Sequence, residues 1–259
     1  MDRPLVLITN DDGVESPGIV AAAQAVHDVA DLLIVAPLEQ QTAMSRAYPR
    51  GAEIGIIYER ELKLDDHTVA AYAVNGSPAQ AVSHAVLELA DRLPTFCISG
   101  VNYGENFGTT LGGSGTVGAA YEAHSYGIPS IAVSLEVSPG VSEADAEWAA
   151  STHFTRRLAL QILEEGLPDE VATLNVNIPW DATPATELVM TRHSRQCYFV
   201  FAKPTRSSFD SPTKLPVVVE LDEDKLEVDS DLHAILRERK VSVTPLAWSW
   251  TAETTWRPR

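Results

Sequence analysis

Apolar residues in the first two thirds of the chain gather in short unbroken runs. Residues 4–9 and 32–36 are rich in Leu, Val and Ile, and further runs occupy 95–99, 130–134 and 174–178. Runs of this length without alternation are expected of parallel strands buried on both faces. The stretches between them carry helical signals. Ser16-Pro17 and Ser77-Pro78 each place a good N-cap before a proline that the first helical position tolerates. Ala81, Val82, Ala85, Val86 and Leu89 share one helical face, and Trp148, Ser151, Thr155, Leu158 and Ile162 repeat at helical spacing within a helix expected over 143–163. A further helix is expected over 115–126. Residues 53–59 and 63–74 alternate only in part around Asp65-Asp66, which predicts strands joined as a hairpin.

The rhythm changes after Pro179. Short strand-like pieces, Pro204, Pro212 and Pro216, and an acidic run at 220–224 replace the strand–helix alternation. The pattern predicts a three-layer α/β/α core with a mostly parallel, Rossmann-like sheet over residues 1–179. A β-rich C-terminal extension over 180–259 is expected to complete the core.

Composition narrows the function classes. The chain has 259 residues, and 36 acidic against 19 basic side chains give it a net charge of −17. Such a surface repels nucleic-acid polymers and anionic membranes, while a small anionic substrate needs only a local cation. No apolar stretch approaches the roughly 18 residues that span a bilayer. The start Met1-Asp2-Arg3-Pro4 lacks the features of a signal peptide, so a cytoplasmic location is expected. Cys97 and Cys197 have no metal-binding spacing.

Ligands of open parallel sheets bind beyond the carboxyl ends of the strands, so the residues just after each run are the candidates. After the first stands Asn10-Asp11-Asp12-Gly13, after the second Thr42, and after the run ending at Ser99 stand Asn102, Asn106 and Ser114-Gly115-Thr116. Adjacent aspartates repel each other unless a cation neutralises them. Hard cations such as Mg²⁺, Mn²⁺ or Ca²⁺ prefer the carboxylate, hydroxyl and amide oxygens present here; Asp-Asp-Gly is also a common turn tripeptide. Residues 113–118 match Gly-x-Gly-x-x-Gly, but a long loop separates them from their strand, which argues against a dinucleotide fingerprint. Ser114, Gly115 and Thr116 read instead as a helix N-terminus able to hold phosphate, or as an ordinary capped helix start. Gly112-Gly113-Ser114-Gly115-Thr116 lacks the last glycine of a nucleophile elbow, and His124, His153, His193 and His233 have no diagnostic spacing.

With these residues in view, the chain resembles the SurE family of stationary-phase survival proteins that act as 5′-nucleotidases. The resemblance lies in Leu7-Ile8-Thr9-Asn10-Asp11-Asp12-Gly13-Val14-Glu15-Ser16-Pro17-Gly18-Ile19, Asn75-Gly76-Ser77-Pro78, Ser99-Gly100-Val101-Asn102-Tyr103-Gly104-Glu105-Asn106 and Ser114-Gly115-Thr116-Val117. It implies a divalent metal, Mg²⁺ or Mn²⁺ with Ca²⁺ as a stand-in, held by Asp11, Asp12, Thr42 and Asn102. It implies that Asp11 and Asp12 are catalytic and that Asn10, Asn106, Ser114, Gly115 and Thr116 hold the substrate phosphate. It also implies hydrolysis of a nucleoside 5′-monophosphate and a homodimer or homotetramer joined through the C-terminal extension. Threonine stands at 42 where the family usually has serine, and Ala43 follows where it has glycine. Thr42 keeps the hydroxyl with a stiffer χ1, and Ala43 is barred from backbone shapes open to glycine. Gln80 replaces a common aspartate, and Arg239 stands where glycine is frequent. The alternative is a non-catalytic nucleotide or metal sensor with the same pocket.

Overall fold

A computed structural model describes residues 3–65 and 67–249. Asp66, the second aspartate of the expected turn, and the end of the C-terminal extension from residue 250 lie outside the described residues.

Nine strands form one sheet in the order β3-β4-β2-β1-β5-β6-β7-β11-β8. Its parallel centre comprises β1 (Leu5–Thr9), β2 (Asp31–Pro37), β4 (His67–Val74), β5 (Phe96–Tyr103), β6 (Ser130–Leu135) and β7 (Val171–Ile178). β3 (Ile57–Leu64) runs antiparallel to β4 at one edge. Near the other edge β11 (Val241–Ala247) runs antiparallel to β7, with β8 (Leu188–Met190) parallel beyond it. β9 (Phe199–Phe201) and β10 (Val217–Val219) form a separate antiparallel ribbon.

The apolar runs are continuous because both sheet faces are covered. Successive β1 residues alternate between two cores: Val6 and Ile8 face one, Leu5 and Leu7 the other. The first core is closed by α1 (Pro17–Gln24) and α4 (Ala149–Glu165) through Ile19, Phe154 and Leu158. The second is closed by α2 (Pro78–His84) and α3 (Gly115–Ser125) through Ala81, Val82, Ala119 and Ala123. Ser16 and Ser77 cap α1 and α2 as expected, each with proline at the next position. Gln80 completes a capping box with Ser77.

Several boundaries differ from the sequence-based reading. The hairpin turns at the expected place, but its first strand begins only at Ile57 and contains Lys63 and Leu64; residues 53–55 are turn. β5 continues through Gly100 to Tyr103, so the glycine-rich connection is shorter than expected and holds a 3₁₀ segment at Gly108–Gly113. The helix expected from residue 143 starts at Ala149. Residues Glu143–Asp145 form a separate 3₁₀ turn in which Ser142 Oγ donates to Asp145 Oδ2 at 2.6 Å, and Ala146 with ψ 149° breaks the helical path. The C-terminal region contains an unexpected helix, α5 (Asp231–Leu236), and returns β11 to the main sheet.

Candidate active site

The chain leaves β1 toward β2 on one side, and β5 pairs on β1's other side. A crevice at such a switch point is where α/β sheets take ligands. The carboxyl ends of β1 and β5 meet there, together with the N-terminus of α3.

Asp11 follows β1 and is buried. Thr116 Oγ1 donates to its Oδ1 at 2.6 Å, and the Thr116 backbone N–H also favours its charged form. Burial dominates nonetheless, and the neighbouring Asp12 charge adds to it, so the Asp11 pKa is raised to about 7. Gly115 makes this approach possible: a Cβ there would stand 2.7 Å from Asp11 Cβ and Oδ2. Asp12 is more open. It accepts from Tyr103 N–H at 3.1 Å and from Gln40 Nε2 at 3.0 Å, and burial raises its pKa. No described Lys, Arg or His hydrogen-bonds or ion-pairs with either carboxylate.

The other expected site residues divide into groups. Asn102 lies on β5 next to Tyr103; its Nδ2 donates to Gly104 O at 2.5 Å, and no described residue donates to its Oδ1. Thr42 is exposed and adjoins Gln41, whose N–H donates to Asp11 O at 2.7 Å. Its neighbour corrects the expectation from sequence: Ala43 does adopt the left-handed conformation, with φ 62°, and Ser45 follows with φ 50°. Each costs about 1–2 kcal/mol relative to the right-handed region. Arg239, the other residue at a glycine position, likewise has φ 53°. Its guanidinium bridges Glu136 and Asp181, with Nη2 2.7 and 2.6 Å from their oxygens.

Asn106, Ser114, Gly115 and Thr116 cluster beside Asp11. Asn106 Nδ2 reaches Thr116 Oγ1 at 3.3 Å and Ser134 Oγ at 2.9 Å. Ser114 Oγ accepts from Val117 N–H at 3.1 Å, so it caps α3; the Gly115 N–H has no acceptor among the described residues. Asn10 is different. It is fully buried, and its Nδ2 donates to Gly13 O at 3.0 Å and Ser16 Oγ at 2.6 Å. Its amide shapes the turn that presents Asp11 and Asp12 and does not face the phosphate cluster.

Other contributors had gone unnoticed in the sequence. Asn175 and Asn177 of β7 both donate to Asn106 O at 2.8 Å, and Asn177 Oδ1 accepts from Asn106 N–H at 2.8 Å. Two asparagines two residues apart in an apolar strand share one face, which was the available signal. Glu143 is a third carboxylate near Asp12. Its pKa is raised by burial and by the Asp12 charge, and its Oε1 is enclosed without a partner among the described residues.

Two carboxylates left without a cationic partner, an amide oxygen without a donor and a neighbouring hydroxyl suit a hard divalent cation. Among the described residues no three His, Cys, Asp or Glu side chains gather as a metal-binding group, so a cation held by this pair would need neutral oxygens as further ligands. Beside the pair, the N-terminus of α3 offers the Gly115 N–H and the Ser114 hydroxyl, groups suited to receive an anion.

The comparisons with known proteins agree with one another. The model of the family described as Survival protein SurE matches residues 6–200. A protein named 5′-nucleotidase SurE from Methanocella arvoryzae is 39% identical over 261 residues, covering 95% of this chain and 93% of the relative. One of the same name from Thermococcus gammatolerans is 39% identical over 254 residues, covering 95% and 91%. A crystal structure of the SurE protein from Aquifex aeolicus superposes with a TM-score of 0.72 at 27% identity, covering 96% of this chain and 95% of that one.

Proposed function

The chain belongs to the SurE family, and from that premise we propose that it hydrolyses phosphate monoesters, with nucleoside 5′-monophosphates as substrates and a divalent cation as cofactor. The observation that carries this reading is the placement of two cation-free carboxylates, Asp11 and Asp12, against the N-terminus of α3. The relatives that cover nearly the whole chain carry the name 5′-nucleotidase.

Asp11, Asp12, Thr42 and Asn102 would hold the cation, with Mg²⁺ or Mn²⁺ as the fitting ions. When bound, it supplies Lewis-acid polarisation of the phosphoryl group and a lowered pKa for a coordinated water. The chain supplies position and field. The Gly115 N–H, the Ser114 hydroxyl and the α3 dipole receive phosphate oxygens, and Asn106 holds the Thr116 hydroxyl in place from behind. Asp12, the more open of the pair, orients the attacking water. Such a site works by positioning and electrostatics, as phosphoryl transfer requires. We also place self-association of the chain at its C-terminal extension, where the β9–β10 ribbon leaves Phe201, Val217 and Val219 exposed.

Release of inorganic phosphate from nucleoside 5′-monophosphates and from p-nitrophenyl phosphate tests the reading. Activity should vanish with EDTA and return with Mn²⁺ or Mg²⁺. Full turnover by the metal-free protein would refute the metal's role. Nucleotide binding without turnover under every divalent ion would make the protein a sensor.

A further inference from the structure

Glu122 of α3 is a buried carboxylate that makes no hydrogen bond to Asp11 or Asp12, and two of its partners lie on one loop. Arg46 Nε donates to its Oε2 in a very short contact, while Tyr48 Oη and Ser83 Oγ donate to its Oε1 at 2.7 and 3.0 Å. Arg46 and Tyr48 lie on the loop that begins with Thr42. That loop is strapped at further points: Ser45 N–H donates to Gly113 O at 3.1 Å, Ser77 Oγ to Ala47 O at 2.5 Å, and Gln80 Nε2 to Pro49 O at 3.0 Å. Gly118 lets the loop lie directly on α3, because a Cβ there would stand 2.2 Å from Ser45 O. Arg46 also stacks its guanidinium 5.2 Å from the centroid of Trp248.

The loop needs such fastening. Ala43 and Ser45 both hold left-handed backbone without being glycine, and strained residues persist only where their surroundings over-determine them. Thr42 itself makes no side-chain hydrogen bond to another described residue, so nothing local fixes its hydroxyl. The Arg46–Glu122 ion pair four residues further on, with Glu122 buried and Arg46 partly exposed, is one fixed point of the loop, and the Tyr48 hydroxyl bond to the same carboxylate is another.

We propose that Glu122 is a positioning residue for the candidate metal centre: through Arg46 and Tyr48 it holds the strained loop on α3 and so presents the Thr42 hydroxyl to Asp11 and Asp12. This rests on the reading of Thr42 as a ligand. The consequence is that metal affinity depends on a carboxylate on the opposite side of the loop, which binds no metal.

The test measures Mn²⁺ affinity by the paramagnetic resonance signal of free Mn²⁺, on the wild type, Thr42→Val, Glu122→Gln, Tyr48→Phe, the Thr42→Val/Glu122→Gln double variant and the Glu122→Gln/Ala43→Gly double variant. Thr42→Val should weaken Mn²⁺ about tenfold or more. Glu122→Gln should weaken it by a similar factor, and Tyr48→Phe by less. The Thr42→Val/Glu122→Gln double variant should bind no worse than Thr42→Val alone, because both act through one ligand. Glycine at 43 holds the left-handed turn without strain, so Glu122→Gln/Ala43→Gly should recover most of the affinity. Wild-type affinity in Glu122→Gln beside a weakened Thr42→Val overturns the positioning role, as do losses that multiply in the double variant. An unaffected Thr42→Val removes Thr42 from the ligand set and defeats the parent reading instead. Should Glu122→Gln fail to fold, Tyr48→Phe with and without Ala43→Gly decides by the same comparison.

Discussion

Thr116 Oγ1 donates to Asp11 Oδ1 at 2.6 Å across 105 residues of sequence, and the same oxygen accepts from Asn106 Nδ2 at 3.3 Å. The hydroxyl hydrogen is thereby committed to the carboxylate, the direction that stabilises its charged form. Thr116→Val keeps the shape and deletes this donor. A hydrogen bond to a charged group contributes about 1.5–3 kcal/mol, so Asp11 should hold its proton more tightly and Mn²⁺ affinity at pH 7 should fall by about tenfold. At pH 9 Asp11 is ionised in the wild type and far more ionised in the variant than at pH 7, so the difference should shrink. A loss of equal size at both pH values, read by isothermal calorimetry, would assign Thr116 a different role.

The raised pKa of Asp11 gives a second prediction, whose sign is the reverse of the usual carboxylate case. An ordinary aspartate titrates near 4, at about 3.9, and Asp11 near 7. Between these values the folded metal-free protein holds a proton that the unfolded chain has released, so stability falls as pH rises from about 4 to about 7. A bound cation must displace that proton, so apparent Mn²⁺ affinity should drop by about tenfold per pH unit below 7. Melting curves of EDTA-treated protein between pH 4.5 and 8 should show the falling trend up to about pH 7, and saturating Mn²⁺, which keeps Asp11 ionised, should flatten it. A metal-free melting temperature that rises over this range would mean that Asp11 is ionised throughout.

Asp12→Asn should abolish turnover and leave the fold standing. Asparagine offers one acceptor where Asp12 offers two, so either Tyr103 N–H or Gln40 Nε2 loses its partner. Gln40 is near the surface and can turn to water. The repulsion that Asp12 exerts on Asp11 disappears at the same time, lowering the Asp11 pKa. The melting temperature of the metal-free protein should therefore hold or rise. A large fall would make Asp12 a structural residue.

The central strands were legible because burial on both faces leaves few polar positions inside them, and Ser16 and Ser77 announced their helices by capping chemistry that acts within a turn. The site was legible as far as the strand-end rule reached: Asp11 and Asp12 after β1, Asn102 on β5, and Ser114 to Thr116 at α3. What stayed hidden were contacts between distant segments. Nothing local distinguishes Asn10, whose amide turns inward to Ser16, from Asn106, whose amide lies beside Thr116. The clustering of Glu122 with Arg46 and Tyr48 depends on the fold of a loop with no periodicity. The helix start was misplaced because Glu143, Ala144, Ala146 and Glu147 are good helix formers by type, while the extended Ala146 that breaks the path leaves no mark in residue type. Ala43 shows the limit of propensity: tertiary fastening holds alanine where glycine would be expected.

The β9–β10 ribbon supplies the fourth prediction. Phe201 pairs in register with Val217, and both are mostly exposed, at 67% and 55%. A two-stranded ribbon is marginal alone, and its apolar surface gains stability only if another surface covers it. Phe201→Asp with Val217→Asp should therefore reduce the oligomer mass measured by light scattering. Phosphatase activity on p-nitrophenyl phosphate should survive, because neither residue contacts the candidate site. An unchanged mass would place the subunit contact elsewhere.

Ser114→Ala separates the two duties that the α3 terminus combines. The Ser114 oxygen accepts from Val117 N–H at 3.1 Å, so alanine removes a cap and should cost about 1 kcal/mol of stability. That interaction uses only the oxygen's lone pair; the hydroxyl hydrogen has no acceptor among the described residues. In the proposed complex it donates to a phosphate oxygen in a charge-assisted bond of about 1.5–3 kcal/mol, so alanine should also raise the inhibition constant of inorganic phosphate roughly tenfold or more. The Gly115 N–H and the helix dipole remain in the variant, so binding should weaken and not vanish. The two effects are measured separately on the same protein, one by denaturant melts and the other by phosphate inhibition of p-nitrophenyl phosphate hydrolysis. If stability falls while the inhibition constant stays put, Ser114 is a cap alone. The phosphate then sits away from this helix terminus even if Asp11 and Asp12 still hold the cation.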